Sequence, residues 1–438
     1  MKTHLAQSAT YLARLFRIEE RPRELVIHWS GASAANVAFR GGHLKKNGGT
    51  DSTEDAAAAS ISSFDGDLYA RMTTRLDGTI YFGLSADASG VAGNTIDFAI
   101  RVTSAGEVKV YESGSLKATH GTAARKGDHL RVQRVGTTVT YWLNRALIYT
   151  SAASSSGALF ADAAIAHTDA TVNEAVWGFV PTVIRVTEHT RRLTYGGELY
   201  TPLPLLPTRF NRSDGFRPGN TELTHILSSG GVSEADIIGG RWDFARYELI
   251  VLNYTDLTMG PAQRMVGRLG EFKVNTAGYF TAELRSLSQP LSQPIGDVVS
   301  GLCQAHQLGD FRCGQPMDNY THDCEIDSVT NSLTLVLDLS PAKASGYFNQ
   351  GLIWFRSGNN KFYEREIKSN TDNTIILQRP FPFAPLPGDE VTVFAGCIRT
   401  PEACKRFVNP NNPSGTNLEN IQAYPHVPGL QKVLRYPE

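Results

Sequence analysis

The chain has 438 residues, with 42 lysines and arginines against 43 aspartates and glutamates, for a net charge of -1. This length predicts roughly two to four domains, and the neutral balance argues against direct, sequence-specific nucleic-acid binding. Hydrophobic residues make up 41% of the chain, which allows a packed core and excludes extensive disorder. No apolar run approaches the roughly 20 residues that span a bilayer, and the first residues lack the apolar stretch of a secretory signal. We therefore expect a protein that is not integral to a membrane.

The first two segments differ in pattern. Residues 1–20 predict a short helix over 5–15 that continues as an extended run over 15–18. Residues 21–180 predict a β-sandwich, a jelly roll or a related fold, because short runs rich in β-branched and aromatic residues recur between Gly, Asp, Asn and Ser. The Ser-, Ala- and Gly-rich stretch 151–158 is predicted to be a loop.

The remaining segments are also mainly β. Residues 181–300 predict a hairpin around Gly196-Gly197, strands over 247–252, 264–272 and 279–287, and a short helix capped by Ser233 and ended by Gly239. Residues 301–408 contain about five strand-like runs, enough for a small barrel. Residues 409–438, rich in Pro and Asn, predict an extended arm. The expected fold class is mainly β and multidomain.

Signatures of enzymes are absent from the sequence. It contains no P-loop, zinc-protease, nucleophile-elbow or dinucleotide-binding motif. The carboxylates Asp65, Asp67 and Asp297 are dispersed, so we predict no catalytic residue and no enzyme. Aromatic rings of the sandwich segment are candidates for stacking on sugars, although filling the core is the competing interpretation for each: Trp29, Tyr69, Tyr81, Tyr141, Trp142 and Trp177.

The five cysteines all lie in the last third of the chain, at Cys303, Cys313, Cys324, Cys397 and Cys404. The strand-rich insert between the first and last pairs can bring four thiols together at one site. From spacing alone, two disulfides, a zinc ion, an iron–sulfur cluster and unconnected thiols all remain open. Cys324 is best interpreted as a free or partly buried thiol.

Several segments then resemble one family, the baseplate hub or tail-tip iron–sulfur proteins of long-tailed, siphovirus-type phages and gene transfer agents. Segments similar to that family occur in its order: ATYLARLFRIEE, VIRVTEHTRRLTYGGELY, GVSEADIIGGRWDFARYELIVLN, GRLGEFKVNTAGYFTAELRSLSQPLSQP, LGDFRCG, GCIRTPEACKRF and AYPHVPG. Residues 21–180 depart from the family and resemble the jelly-roll or lectin-like modules that decorate phage tail fibres and tips. The resemblance therefore implies a hub core from 1–20 and 181–300, an inserted sandwich over 21–180, a cysteine domain over 301–408 and a C-terminal arm over 409–438.

The resemblance also implies a function. It predicts a structural virion protein at the tail tip or baseplate, made in the host bacterial cytoplasm. Its expected cofactor is a 4Fe–4S iron–sulfur cluster, with zinc as the alternative, held by Cys303, Cys313, Cys397 and Cys404. Expected partners are two further copies in a homotrimer, the distal tail protein, the lower hub or central tip protein, the C-terminus of the tape-measure protein, and a host cell-surface polysaccharide bound by the insert. The alternative is a free carbohydrate-active enzyme, or a carbohydrate-binding protein outside hubs with a zinc- or disulfide-stapled C-terminal domain.

Overall fold

The computed structural model describes residues 12–21, 24–30, 34–87, 92–203, 205–207, 220–226, 232–274, 279–287, 299–310, 312–361, 363–409 and 412–424. The predicted closing segment at 423–429 and the end of the predicted arm therefore lie mostly outside the described residues. The extended arm is wrong for the described start of that segment, because Asn412–Thr416 pairs with Val408–Asn409 and the following turn, Asn417–Asn420, packs on its own chain through the buried Asn417. The described part of the chain contains no helix long and apolar enough to cross a membrane.

Short strands dominate the structure. In chain order they are β1 (Leu12–Glu19), β2 (Glu24–Val26), β3 (Val37–Arg40), β4 (His43–Lys46), β5 (Ala56–Ala59), β6 (Leu68–Thr73), β7 (Ile80–Ser85), β8 (Phe98–Val102), β9 (Val108–Glu112), β10 (Ser115–Thr119), β11 (His129–Val135), β12 (Thr138–Leu143), β13 (Ala146–Ser154), β14 (Phe160–Ile165), β15 (Thr171–Gly178), β16 (Val183–Thr187), β17 (Leu193–Tyr195), β18 (Glu198–Pro202), β19 (Leu205–Pro207), β20 (Asn220–Ile226), β21 (Arg246–Asn253), β22 (Pro261–Val274), β23 (Tyr279–Ser286), β24 (Thr321–Asn331), β25 (Thr334–Leu337), β26 (Leu352–Phe355), β27 (Glu364–Thr371), β28 (Thr374–Leu377), β29 (Glu390–Phe394), β30 (Val408–Asn409) and β31 (Asn412–Thr416). The helices are α1 (Glu234–Ile238), α2 (Pro401–Cys404) and the 3-10 turns Gly93–Thr95, Leu257–Met259 and Asn417–Asn420. A mainly β chain is thus confirmed.

One compact unit combines Met1–Pro22 with Pro181–Gly296. Its nine-stranded sheet runs β17-β18-β16-β1-β21-β22-β23-β20-β19. β1 pairs antiparallel with both β16 and β21, so its backbone groups are satisfied on both sides. The predicted helix over 5–15 is therefore wrong for residues 12–15, because two sheet neighbours outweigh the weak local preference of this segment. Residues 5–11 lie outside the described part.

Two local predictions in this unit are confirmed. Gly196 and Gly197 connect β17 to β18 with φ of 60° and 79°. A two-residue hairpin turn of this kind needs positive φ at both positions, which glycine adopts without strain. Ser233 caps α1 by accepting a hydrogen bond from the Asp236 backbone, and Gly239 closes its end. The helix buries Ile237 in the core of the unit.

The second compact unit combines Arg23–Val180 with Asp297–Glu438. Residues of its first segment form a β-sandwich. One sheet has the order β10-β9-β8-β7-β14-β5, and the other has the order β13-β12-β11-β6-β15-β4-β3 with β2 paired to β15. β13 extends to Ser154, so the loop prediction is wrong for residues 151–154, where pairing with β12 overrides a Ser- and Ala-rich composition.

The second segment of this unit contains a closed barrel with the order β24-β25-β28-β27-β26-β29. The small barrel is confirmed, with a sixth strand, β24, added to the five that the sequence indicated. β24 pairs with β29 from Thr321↔Phe394 to Glu325↔Glu390. This pairing closes the barrel and holds the segments before β24 and after β29 side by side.

The sandwich and the barrel segment share one hydrophobic core. Phe64 of the sandwich contacts Trp354 of β26 and Trp177 of β15. The same buried cluster also contains Leu308, Met317 and Phe407 from the cysteine segments. The inserted sandwich and the C-terminal segment therefore pack as one body.

Candidate metal centre

Barrel closure positions the two cysteine segments. The Ala395 backbone N–H donates to the Tyr320 carbonyl at 2.8 Å, which continues the β24–β29 pairing beyond the strand ends. Gly396 follows, and a Cβ at this position would overlap the carbonyl oxygen of Asn349. Only glycine lets the chain pass this close to the barrel backbone. The next residue is Cys397.

Backbone hydrogen bonds or a capped helix turn hold the other three cysteines in place. The Cys303 N–H donates to the Arg399 carbonyl at 2.8 Å and joins the two segments. The Asp310 carboxylate accepts from the Cys313 N–H at 2.8 Å. Cys404 ends α2, whose first turn is capped by the Thr400 hydroxyl, an acceptor from the Ala403 N–H at 3.2 Å.

All four predicted cysteines line one pocket. Ala305, Leu308, Phe407 and Ile421 supply apolar walls. Among the described residues that line it, Arg399 carries the only full charge. The sequence thus correctly indicated that residues from both ends of the barrel segment come together, whereas their role as ligands stays a prediction.

Hydrogen-bond donors point at several of the sulfur atoms. Backbone N–H groups of Arg399 and Gln422 lie 3.4 Å from the sulfurs of Cys397 and Cys303 respectively. The Asn417 side-chain amide lies 3.6 Å from the Cys313 sulfur, and its backbone carbonyl accepts from the Cys404 thiol at 3.3 Å. Such donors stabilise sulfur that carries negative charge. Sequence reasoning missed Asn417 because its place here depends on tertiary packing.

Burial opposes ionisation of these thiols. It raises the pKa of Cys313 and Cys397, and it raises the pKa of Cys404 to about 12, with the neighbouring cysteines adding to the effect. Arg399 and Arg406 lower the pKa of Cys397 in part. Without a bound cation the pocket therefore favours neutral thiols, and a cation would displace their protons.

The four side chains have the right chemistry for a thiolate-bound metal group, but their sulfur atoms are not already arranged around one point. All five cysteines are free thiols. Within the described residues, no three His, Cys, Asp or Glu side chains are grouped closely enough to hold a single metal ion. Four cysteines in an apolar pocket are nevertheless the donor set that zinc and iron–sulfur clusters prefer.

Cys324 lies elsewhere, as expected for a buried thiol. It is on β24, pairs with Val391 and is part of the barrel core. Burial raises its pKa to about 12. Alternate residues of β24 face the barrel interior, and Cys324 is one of them. Its thiol therefore lies in the barrel core and not in the pocket.

The aromatic candidates of the sandwich are mostly structural. The core interpretation is correct for five of them, which are at most 8% exposed: Trp29, Tyr69, Tyr81, Tyr141 and Trp177. Trp142 is half-buried on the outer face of its sheet. Its ring lies 4.9 Å from the Arg131 guanidinium, and its N–H donates to Thr140 at 2.9 Å.

Two family models match the chain. The model described as "Baseplate hub protein, N-terminal attachment domain" matches residues 181–316, and "Phage conserved hypothetical protein BR0599" matches residues 346–430. The chain belongs to the phage baseplate hub family. The hub protein carries Cys303 and Cys313 in the first matched segment and Cys397 and Cys404 in the second. Cys324 lies between the segments, and the sandwich lies outside both.

Comparison with solved structures gives more distant likenesses. A chain in the "Virion of native gene transfer agent (GTA) particle" is 27% identical, with a TM-score of 0.49, over 58% of the hub protein and 87% of that chain. The carbohydrate-binding module CBM66 from Bacillus subtilis is 14% identical, with a TM-score of 0.21, over 37% and 94% of the two chains. The Ca²⁺- and mannoside-bound VIP36 domain is 11% identical, with a TM-score of 0.25, over 40% and 92%. No curated protein matches the hub protein. As a baseplate hub, it is a structural component of the virion tail.

Proposed function

We propose that this hub protein holds a structural iron–sulfur cluster of the 4Fe–4S type and presents its inserted sandwich to host-surface polysaccharide. The observation that carries the cluster proposal is the shared pocket of Cys303, Cys313, Cys397 and Cys404. These are also the cysteines that fall within the matched family segments.

The proposed cluster would act as a staple. The loops that carry the ligands have little regular structure apart from α2, a single turn of helix. A group bound to all four thiols would cross-link residues about 100 positions apart, and its binding free energy would then contribute directly to folding. N–H donors and Arg399 would offset the negative charge of the bound thiolates.

Anaerobic purification of the full chain tests this proposal. We expect visible charge-transfer absorption, with iron and acid-labile sulfide in equal amounts. Serine at any of the four pocket cysteines should abolish the colour, whereas the matched control Cys324→Ser should keep it. Zinc without iron or sulfide would overturn the cluster in favour of zinc, and loss of the cluster in Cys324→Ser alone would overturn the ligand assignment.

The proposed assembly is the one that the resemblance to hub proteins implies. We propose a homotrimer around the tail axis that joins the distal tail protein to the lower hub or central tip protein and contacts the C-terminus of the tape-measure protein. Co-purification of the chain with tail particles, and cross-links to those proteins, are expected. A monomer recovered only outside particles would overturn this assembly.

The polysaccharide role is supported by the sandwich, which the matched family segments do not include. Three copies in a trimer would add avidity to weak individual sites. The competing role is a purely architectural spacer. Because the sandwich shares its core with the cysteine segments, the test uses the trimeric full chain on immobilised host-surface polysaccharide. No retention would favour the spacer, and turnover of the polysaccharide would favour the carbohydrate-active enzyme.

A further inference from the structure

A chain of three asparagine side chains runs into the cysteine pocket. The Asn409 amide donates to the exposed Glu419 carboxylate at 2.6 Å. The Asn420 amide donates to the side-chain oxygens of Asn409, at 3.4 Å, and of Asn417, at 2.8 Å. The Asn417 amide nitrogen then lies 3.6 Å from the Cys313 sulfur and 3.5 Å from the Cys313 carbonyl oxygen. The chain therefore connects a surface carboxylate to one sulfur of the proposed cluster site.

The two ends of this chain fix the orientation of the amides within it. An asparagine side chain has one NH2 donor and one oxygen acceptor, whereas an ionised carboxylate and a backbone carbonyl only accept. Glu419 therefore requires the NH2 of Asn409 to face it, and the Cys313 carbonyl requires the NH2 of Asn417 to face the cysteine. The NH2 of Asn420 donates to the two side-chain oxygens that remain. All these bonds are satisfied together only when the NH2 of Asn417 points at Cys313.

The backbone of Asn417 holds this side chain in place. The residue is 1% exposed, and its N–H donates to the Phe407 carbonyl at 2.7 Å. Its carbonyl accepts from the Cys404 thiol at 3.3 Å. Because water has little access here, it does not compete with the amide, and a hydrogen bond is electrostatically stronger in such surroundings than in water.

A donor in this position acts on the charge of the Cys313 sulfur. Burial raises the pKa of Cys313, and the backbone N–H groups of Gly309 and Gln315 lower it in part, so Asn417 is one of several donors at this sulfur. Hydrogen bonds to the sulfurs are one means by which a protein sets the reduction potential of an iron–sulfur cluster. A donor stabilises the more negatively charged state, which is the reduced one.

We propose that Asn417 is a positioning residue for the proposed cluster, raising its reduction potential through the amide N–H directed at Cys313, and that Asn420 and Asn409 orient this amide. The inference rests on the proposed iron–sulfur cluster and adds the residues that tune it. None of the three asparagines is a ligand.

The test uses variants of the full chain purified anaerobically, with iron and acid-labile sulfide analysis and a reductive titration followed by electron paramagnetic resonance. At the potential where half of the wild-type cluster is reduced, Asn417→Ala should lower the ratio of reduced to oxidised cluster about tenfold, which is about 59 mV for a one-electron couple. Its iron content should stay at the wild-type level. Asn420→Ala keeps Asn417 but removes the donor that orients it, so the ratio should fall by a smaller factor.

Gln422→Ala is the matched control. Its exposed side chain lies in the same segment and donates to the Asn420 carbonyl, whereas the bond from Gln422 to the Cys303 sulfur comes from the backbone N–H and survives the change. The ratio should therefore equal that of the wild type. An equal fall in this variant would show that any change in the segment shifts the potential, and would overturn the role of Asn417.

The iron content separates this inference from the proposed function. Iron and sulfide at wild-type levels in Asn417→Ala, with an unchanged potential, would overturn the role of Asn417 and leave the cluster in place. If Asn417→Ala lost its iron, Asn420→Ala would decide, because a lowered ratio supports the amide chain and an unchanged ratio overturns it. Zinc or no metal in the wild-type chain would overturn the cluster and this role together.

Discussion

The ring of Phe64 lies 5.8 Å from the ring of Trp354 in an edge-on arrangement, although 290 positions separate the two residues. A second link lies nearby, where the Lys361 ammonium group donates to the Asp65 carbonyl at 2.7 Å. Because apolar packing and a hydrogen bond both cross this junction, the sandwich and the barrel stabilise each other.

Phe64→Ala is expected to destabilise the sandwich and the barrel together. Removing a 3%-exposed ring from this core should lower the free energy of unfolding by about 3–5 kcal/mol. The denaturant midpoint should fall by the same amount whether unfolding is followed by tryptophan fluorescence or by circular dichroism. Leu147→Ala, at a 49%-exposed position, is the control and should change stability by less than about 0.5 kcal/mol. Separate transitions for the two parts would contradict a shared core.

Asp162 should make the stability of the sandwich depend on pH. It is 2% exposed, bonded to the Ser85 hydroxyl at 3.2 Å, and burial raises its pKa to about 7. The folded state therefore binds a proton that the unfolded state releases near pH 4, so stability falls as pH rises from about 4 to 7. The full effect is roughly 4 kcal/mol at most.

Asp162→Asn removes the titrating group and should flatten this decline. Thermal midpoints measured from pH 4.5 to pH 8 check the expectation. Asp169→Asn is the control, because that carboxylate is 77% exposed. An equal decline in the wild type and in Asp162→Asn would show that another group causes it.

Lys46→Met should destabilise the loop after β4. The side chain of Lys46 is fully buried, and the nitrogen of its ammonium group lies 2.6–2.8 Å from four acceptor oxygens, the carbonyls of Thr50, Thr53 and Ala166 and the Asp55 carboxylate. Removing it leaves four oxygen atoms without their cation. Because Asp55 is partly exposed, we expect a loss of about 2–4 kcal/mol.

The neighbouring residue provides the control for this change. Lys45 pairs with Asp169 at the surface, so Lys45→Met should cost less than about 1 kcal/mol. Chemical denaturation measures both variants. Equally small losses in both variants would mean that water replaces the ammonium group as the partner of the four oxygen atoms.

Gly396→Ala should weaken binding of the proposed iron–sulfur cluster in a chain that keeps all its cysteines. The added methyl group would overlap the Asn349 carbonyl, and relief of that overlap must move the chain beside Cys397. We expect iron per chain to fall by at least half in anaerobic protein. Gly121→Ala is the control, since a Cβ there meets nothing within 4 Å. Full iron content in Gly396→Ala would show that Cys397 tolerates the movement or is not a ligand.

Local signals in the sequence were sufficient wherever a few adjacent residues decide the structure. The Gly196-Gly197 turn and the Ser233 cap are examples, because both depend on contacts within four residues. β5 and β14 escaped notice because β5 is Ala56–Ala59 and β14 is also alanine-rich, and alanine has low intrinsic preference for strands. Burial between neighbouring strands decides their conformation.

The sequence predicted part of the candidate site. Clustered cysteines around a strand-rich insert predicted convergence, and barrel closure through β24 provides it. Asn417 and the Gln422 N–H depend on packing between distant segments. No local pattern marks such residues, so only the folded structure brings them into view.

The two points where the sandwich is inserted bear on whether another module could replace it. On one side Glu19 pairs with Val183, and the Glu20 N–H donates to the Thr182 carbonyl at 2.9 Å. On the other, Glu24 pairs with Gly178. Recombination after Glu19 and before Val183 would replace the whole sandwich without breaking a strand of the hub sheet, because β1 ends at the first residue and β16 begins at the second. A donor module must nevertheless cover Trp354 and supply a partner for Lys361, so successful exchanges should carry compensating changes in the barrel.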